Sequence, residues 1–134
     1  MTPISPLRET RPTVLVVDDS EICLEIARDA LEAKGFRVVT TNSPLGVNRL
    51  ITSERPAVVV VDVTMPALRG DKLVQLVRRH QANPVPILLH SDRPAEELER
   101  YVADSGATAY VEKTPDGEPL VRAVTLHTRS SRAR

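Results

Sequence analysis

The stretch Ala57-Val58-Val59-Val60-Val61-Asp62 decides the architecture of this 134-residue chain. Its valine run is too short and too β-branched for a helix, and it shows no polar face. It reads as a strand buried on both faces, as in a parallel sheet covered by helices. Three more runs share its form: Val14-Leu15-Val16-Val17 before Asp18-Asp19, Ile87-Leu88-Leu89-His90 before Ser91, and Ala109-Tyr110-Val111-Glu112 before Lys113. As parallel strands, these runs have their carboxyl ends along one edge. Three carboxylates, a hydroxyl and an ammonium then converge on one crevice, where open α/β sheets bind their ligands.

Helical patterns fill the gaps. Ser20 (or Asp19) is the expected N-cap of a helix reaching Lys34, with Ile22, Ile26 and Ala30 on its apolar stripe and Gly35 as its stop. Phe36–Thr40 reads as an edge strand, and Pro44–Ser53 as a helix with a ragged face of Leu45, Asn48, Leu50 and Ile51. After a loop marked by Met65-Pro66 and Gly70, Asp71 opens a helix with Leu73, Leu76, Val77 and His80 on one side. Pro84 and Pro86 bound the fourth strand, Ala95–Ser105 forms a helix stopped by Gly106, and Thr114-Pro115-Asp116-Gly117 precedes a last helix over Glu118–Thr128. That helix is apolar at Leu120, Val121, Val124 and Leu126. A βα unit repeated five times requires parallel strands with helices on both faces. The expected organisation is a flexible extension over 1–10, carrying Pro3 and Pro6, one domain over 11–127, and a basic tail over 128–134 with Arg129, Arg132 and Arg134.

The composition fits a single globular domain: 41% apolar, 27% charged, and 18 basic against 18 acidic residues. Zero formal charge gives no electrostatic case for nucleic acid or an anionic membrane as the main partner. A lone cysteine, Cys23, excludes an intrachain disulfide and points to a reducing compartment. Nothing basic stands beside it in sequence to suggest reactivity. No signal peptide is legible at Met1–Pro6, and no apolar run approaches the roughly 20 residues that span a bilayer. The expected location is cytoplasmic. His80, His90 and His127 are too scattered for a metal site, and alternation turns His90 away from the face of Ser91.

The strand-end residues suggest a specific chemistry. Three adjacent carboxylates repel one another unless a cation joins them. An all-oxygen set with vacant positions suits Mg2+, which retains waters and takes one or two carboxylates plus a phosphate. Asp62 is then an ionised carboxylate able to attack phosphorus and form an acyl phosphate. The metal and an ammonium neutralise the transferring oxygens. Each residue also has a plainer role: Asp18-Asp19 as turn and cap, Asp62 as a strand end, Ser91 as a loop hydroxyl, Tyr110 as a half-buried aromatic. Their joint occurrence favours the chemistry. Lys113 is one of only three lysines among 18 basic residues, and a compact ammonium suits a pocket that a guanidinium fork would crowd.

Together with Val16-Val17-Asp18-Asp19-Ser20, Asp62-Val63-Thr64-Met65-Pro66 before Gly70, and Gly106-Ala107-Thr108-Ala109-Tyr110, this layout resembles the receiver domain of bacterial two-component response regulators (CheY-like) over residues 11–127. The resemblance implies a (βα)5 flavodoxin-like doubly wound sheet of strand order 2-1-3-4-5, with Asp18, Asp19 and Asp62 at its switch point. It implies that Asp62 is the phosphoacceptor, served by Ser91 and Lys113. The metal, Mg2+ with Mn2+ as a substitute, would be held by Asp18 (partly through water), Asp19, Asp62 and the backbone carbonyl of Thr64. Ser91 and Tyr110 would form the switch. Implied partners are a histidine kinase or phosphotransfer protein as donor and a target protein on the face of the fourth helix, fifth strand and fifth helix, around Tyr101, Tyr110 and Arg122. Such a domain is an autocatalytic phosphoacceptor with slow self-dephosphorylation, not an enzyme in the ordinary sense. With about seven residues after the last helix, a stand-alone receiver is expected.

Two positions depart from the family pattern. Thr114 follows Lys113 where a proline with a preceding cis peptide is usual, so the loop either keeps a strained bond or goes trans and re-aims Lys113. Asp92 follows Ser91 where a small residue is preferred. Thr64 and Arg93 stand at positions that tune phosphoryl lifetime in the family. These departures leave a phosphorylation-independent interaction module as the main rival. A phosphatase of the haloacid dehalogenase type would need a second Asp where Thr64 stands. A flavin-binding module would need a phosphate-cradling loop where Asp18-Asp19 would repel the phosphate.

Overall fold

Five parallel strands form one sheet of order β2-β1-β3-β4-β5: β1 (Thr13–Val17), β2 (Arg37–Thr41), β3 (Val58–Asp62), β4 (Ile87–Ser91) and β5 (Ala109–Glu112). They alternate with α1 (Glu21–Glu32), α2 (Val47–Glu54), α3 (Gly70–Arg79), α4 (Ala95–Ser105) and α5 (Glu118–Arg132). The structure, a computed structural model, describes residues 11–66, 68–79 and 84–132. The 1–10 extension, His80 and Arg134 lie outside the described residues. The expected class and strand order are both borne out.

Every residue of β3 is buried, as its unbroken valine run requires. Alternation divides the core in two. Val14, Val16, Val58, Val60, Leu88 and Val111 face α1 and α5, meeting Leu24, Ala27, Leu31, Leu120 and Val124. Leu15, Val17, Val59, Val61, Ile87 and Leu89 face the other way, against Val47, Leu73, Val74, Val77 and Leu98. Each such burial stabilises the fold by roughly 1.5–3 kcal/mol per large apolar side chain.

Four helices differ from the sequence expectation. In α1 the buried stripe is Leu24, Ala27 and Leu31, whereas Ile22 is 70% exposed. Both sets share the helical period, and Ile22 falls on the side of the turn away from the sheet. Helix α2 starts at Val47, not Pro44. Ser43 Oγ accepts the Leu45 N–H at 3.2 Å, and Gly46 at the N-cap has φ 82°, a left-handed conformation that no helix includes. Leu45 is therefore exposed, and Val47 carries the buried contact. Helix α5 runs to Arg132, past its expected end at Thr128, so Arg129 is helical rather than part of a tail. Leu76 and Leu126, expected on apolar faces, are exposed at 39% and 60%. Ser20 is the N-cap of α1, accepting the Cys23 N–H, and α4 ends at Gly106 as expected.

The strand-end crevice and the family it identifies

In-register pairing aligns the carboxyl ends of β1, β3, β4 and β5, so residues distant in sequence meet at one edge. Asp62 ends β3 in the row of Val58 and Val60, on the α1/α5 side of the sheet. Asp18 follows β1 on the same side. Both carboxylates are buried, and Asp19 beside them is exposed. One oxygen from each of the three lies within 4.8 Å of the others. Thr64 donates its backbone N–H to Asp62 Oδ1 at 3.2 Å, and Ser20 donates likewise to Asp18 Oδ1 at 3.0 Å.

Lys113 enters from the end of β5. Its Nζ lies 2.9 Å from Asp18 Oδ2 and 3.2 Å from Asp62 Oδ1. Among the described residues there is no cis peptide, so the bond before Thr114 is trans, and Lys113 is not re-aimed away from the carboxylates. Two backbone contacts set this loop. Lys113 donates its N–H to Ser91 O at 2.9 Å, and Gly117 donates to Thr114 O at 3.3 Å. Asp116 Oδ1 also accepts from Thr114 Oγ1 and from the Glu118 N–H.

The charges are unequal partners. Burial pushes the Asp62 carboxyl above its usual range, and the neighbouring Asp18 charge adds to that; Lys113 offsets only part. Burial also works against the Lys113 ammonium, but the Asp18 hydrogen bond and the charges of Asp18 and Asp62 outweigh it and hold its pKa above the ordinary lysine value. The two shifts are compatible because one ammonium serves two carboxylates and sits nearer Asp18. Net negative charge remains for a further cation to neutralise. Hard oxygen donors, one of them open to solvent, fit Mg2+.

Ser91 is buried at the end of β4 and accepts the Arg93 N–H at 3.0 Å. It lies on the opposite sheet face from Asp62, together with half-buried Tyr110, which pairs with Leu89. Tyr110 and Arg122 line a shallow groove between β5 and α5 with Pro119 and Leu126. Asp92 is exposed.

Two residues were missed by sequence reasoning. Cys23 does have a basic neighbour: its Sγ lies 3.7 Å from Lys113 Nζ. The only signal was its place in the first turn of α1, directly beyond Asp18-Asp19. His90 points away from the Ser91 face as expected, but that is the face of Asp62, its register partner. Burial and the Lys113 charge lower its pKa to about 4, with Asp18 opposing, so the imidazole is neutral.

Comparison with known proteins matches this geometry. Residues 14–125 match the family described as the response regulator receiver domain. The transcriptional regulatory protein PrrA of Mycobacterium tuberculosis is 34% identical over 104 residues, covering 78% of this chain and 44% of PrrA. The chain thus spans less than half the length of that relative. The polar-differentiation response regulator DivK of Brucella anthropi is 22% identical over 102 residues, covering 75% of this chain and 83% of DivK. Among solved structures, the chemotaxis response regulator CheY4 of Vibrio cholerae superposes with a TM-score of 0.79 at 27% identity, covering 88% of this chain and 99% of that one. The chain belongs to the response regulator receiver domain family.

Proposed function

We propose that this receiver accepts a phosphoryl group on Asp62 in a Mg2+-dependent reaction and thereby changes a protein-binding surface. The observation that carries this reading is the single ammonium of Lys113 shared by Asp18 and Asp62, with Asp19 beside them. Asp18, Asp19 and Asp62, with the carbonyl of Thr64, would hold the metal, and Mn2+ would substitute for it. When bound, the metal supplies positive charge that ionises Asp62 and neutralises the phosphoryl oxygens.

Asp62 attacks phosphorus through a carboxylate oxygen. The new O–P bond forms as the bond from phosphorus to the donor's leaving atom breaks, and that electron pair leaves with the donor. The Thr64 N–H orients the carboxylate. The Lys113 ammonium moves from bridging two carboxylates to pairing with a phosphoryl oxygen. Ser91 supplies a hydroxyl to another, and Tyr110 follows on the same face. The donor is a histidine kinase or phosphotransfer protein, and the target docks on α4, β5 and α5 around Tyr101, Tyr110 and Arg122. The chain acts in the cytoplasm as an autocatalytic acceptor with slow self-dephosphorylation. The receiver unit is 11–127, flanked by the 1–10 extension and the basic residues after 127.

The rival of an unphosphorylated interaction module rests on Thr114 and Asp92. It loses support because Lys113 reaches both carboxylates with Thr114 in place, and because the Asp92 side chain is exposed. The deciding experiment is intact-mass spectrometry after acetyl phosphate treatment. One phosphoryl group should be gained with Mg2+, and none with a chelator or in Asp62→Ala. Undiminished incorporation in Asp62→Ala would refute the assignment.

A further inference from the structure

A chain of side-chain hydrogen bonds crosses the mouth of the crevice, and the acceptor chemistry does not require it. Arg93 donates through Nε to Thr64 Oγ1 at 3.1 Å and through Nη1 to Glu97 Oε1 at 2.6 Å. The same Glu97 oxygen accepts the Tyr101 hydroxyl at 2.9 Å. Arg69 lies over the Tyr101 ring, 5.4 Å from its centroid, and makes two hydrogen bonds to buried Asp71 in the first turn of α3. The pocket end of the chain is anchored twice. The Thr64 N–H bonds Asp62 Oδ1, and the Arg93 N–H bonds Ser91 Oγ.

We propose that Arg93 is a positioning residue that ties the Asp62–Thr64 segment to α4, making Tyr101 respond to the state of Asp62 by a route separate from Tyr110. The inference rests on the acceptor reading above. A planar guanidinium holds two acceptors at once in a fixed fork, whereas a lysine ammonium is a point charge with no such fixed geometry. A phosphoryl group on Asp62 brings negative charge and three strong acceptor oxygens beside Thr64 and Ser91. If the Ser91 hydroxyl turns toward them, the Arg93 N–H loses its acceptor and the main chain at residue 93 shifts. The guanidinium, shared between Thr64 and anionic Glu97, then gains a competing anion. Either change reaches Glu97 through a charge-assisted bond and Tyr101 through the shared oxygen. Tyr110 sits on β5 in the row of Leu89 and is no link in this chain.

The chain has only two tyrosines, so each can be read separately. The full chain is labelled with 3-fluorotyrosine, its two fluorine resonances are assigned with Tyr110→Phe, and Mg2+ with beryllofluoride serves as the acyl-phosphate mimic. Thermal melts of the same samples report binding of the mimic. The Tyr101 resonance should move on binding in both the wild type and Tyr110→Phe. In Arg93→Met, Arg93→Lys and Glu97→Gln that movement should fall to less than half, while the Tyr110 movement and the thermal stabilisation persist. A stabilised wild type with an unmoved Tyr101 overturns the relay, as does full movement in Arg93→Met or loss of movement in Tyr110→Phe. Full movement in Arg93→Lys shows that charge suffices and overturns the fork. A wild type that the mimic does not stabilise overturns the acceptor reading itself, and the relay with it.

Discussion

Gly70 is pressed against the backbone of Asp62: a Cβ at position 70 would lie 2.1 Å from the Asp62 carbonyl oxygen and 2.8 Å from its carbon. The Gly70 N–H also donates to Val63 O at 2.9 Å, so the start of α3 clamps the segment that carries Asp62. Backbone atoms cannot yield as the end of a flexible side chain can. Gly70→Ala should therefore destabilise the fold by about 3 kcal/mol, the upper range for overpacking, and weaken Mg2+ binding by displacing Asp62. Urea denaturation and Mg2+ titration check both effects. A variant as stable as the wild type would show that the loop relaxes freely.

Lys113→Arg conserves charge but not shape. The ammonium fits between Asp18, Asp62 and Cys23, with its side chain 19% exposed. A guanidinium fork needs more room and a different approach. The variant should still bind Mg2+ through the three aspartates, but its response to beryllofluoride should shrink. Metal titration alongside amide exchange over α4, β5 and α5 makes the comparison. Equal responses in the two proteins would reduce Lys113 to a neutralising charge.

His90 makes stability depend on acid pH. Its folded pKa of about 4 lies below the ordinary 6.5, so between those values the unfolded chain binds the proton and the folded chain does not. Stability therefore rises with pH through this window, and the contribution is lost as pH falls from 6.5 toward 4. The full difference is on the order of 3 kcal/mol. Urea melts of wild type and His90→Val at pH 7 and pH 4.5 isolate it. The wild type should lose more stability than the variant, and parallel losses would place the imidazole in a solvated site.

Arg78 staples α3 to the opposite edge of the sheet from the crevice. It donates to Val85 O at 2.6 Å, Gly106 O at 3.0 Å and Thr108 Oγ1 at 3.3 Å. All three acceptors are neutral, so the fork shape matters more than the charge. Arg78→Lys should cost about 1.5–3 kcal/mol in urea denaturation, the range for hydrogen bonds to a charged group, and leave phosphoacceptance intact. A change below a few tenths of a kcal/mol would mean water replaces these bonds at no cost.

Local sequence determined the sheet and the acidic edge. A short β-branched apolar run favours a buried strand over a helix, and five strand runs with intervening helices leave parallel pairing as the consistent arrangement. Asp18, Asp19, Asp62, Ser91 and Lys113 were legible because each ends its run, and parallel pairing collects run ends at one edge. Tertiary structure alone decided which face each helix buries: a 3.6-residue period says that Ile22 and Leu24 are apolar but not which of them meets the sheet. It alone set the start of α2, where Gly46 in a left-handed conformation outweighs the helical pattern before it. It also brought Cys23 and His90 to Lys113, and Arg93 to Thr64 and Glu97. The Cys23–Lys113 and Arg93–Thr64 contacts join residues 90 and 29 positions apart, and no local pattern records contacts that form only when separate strands come into register.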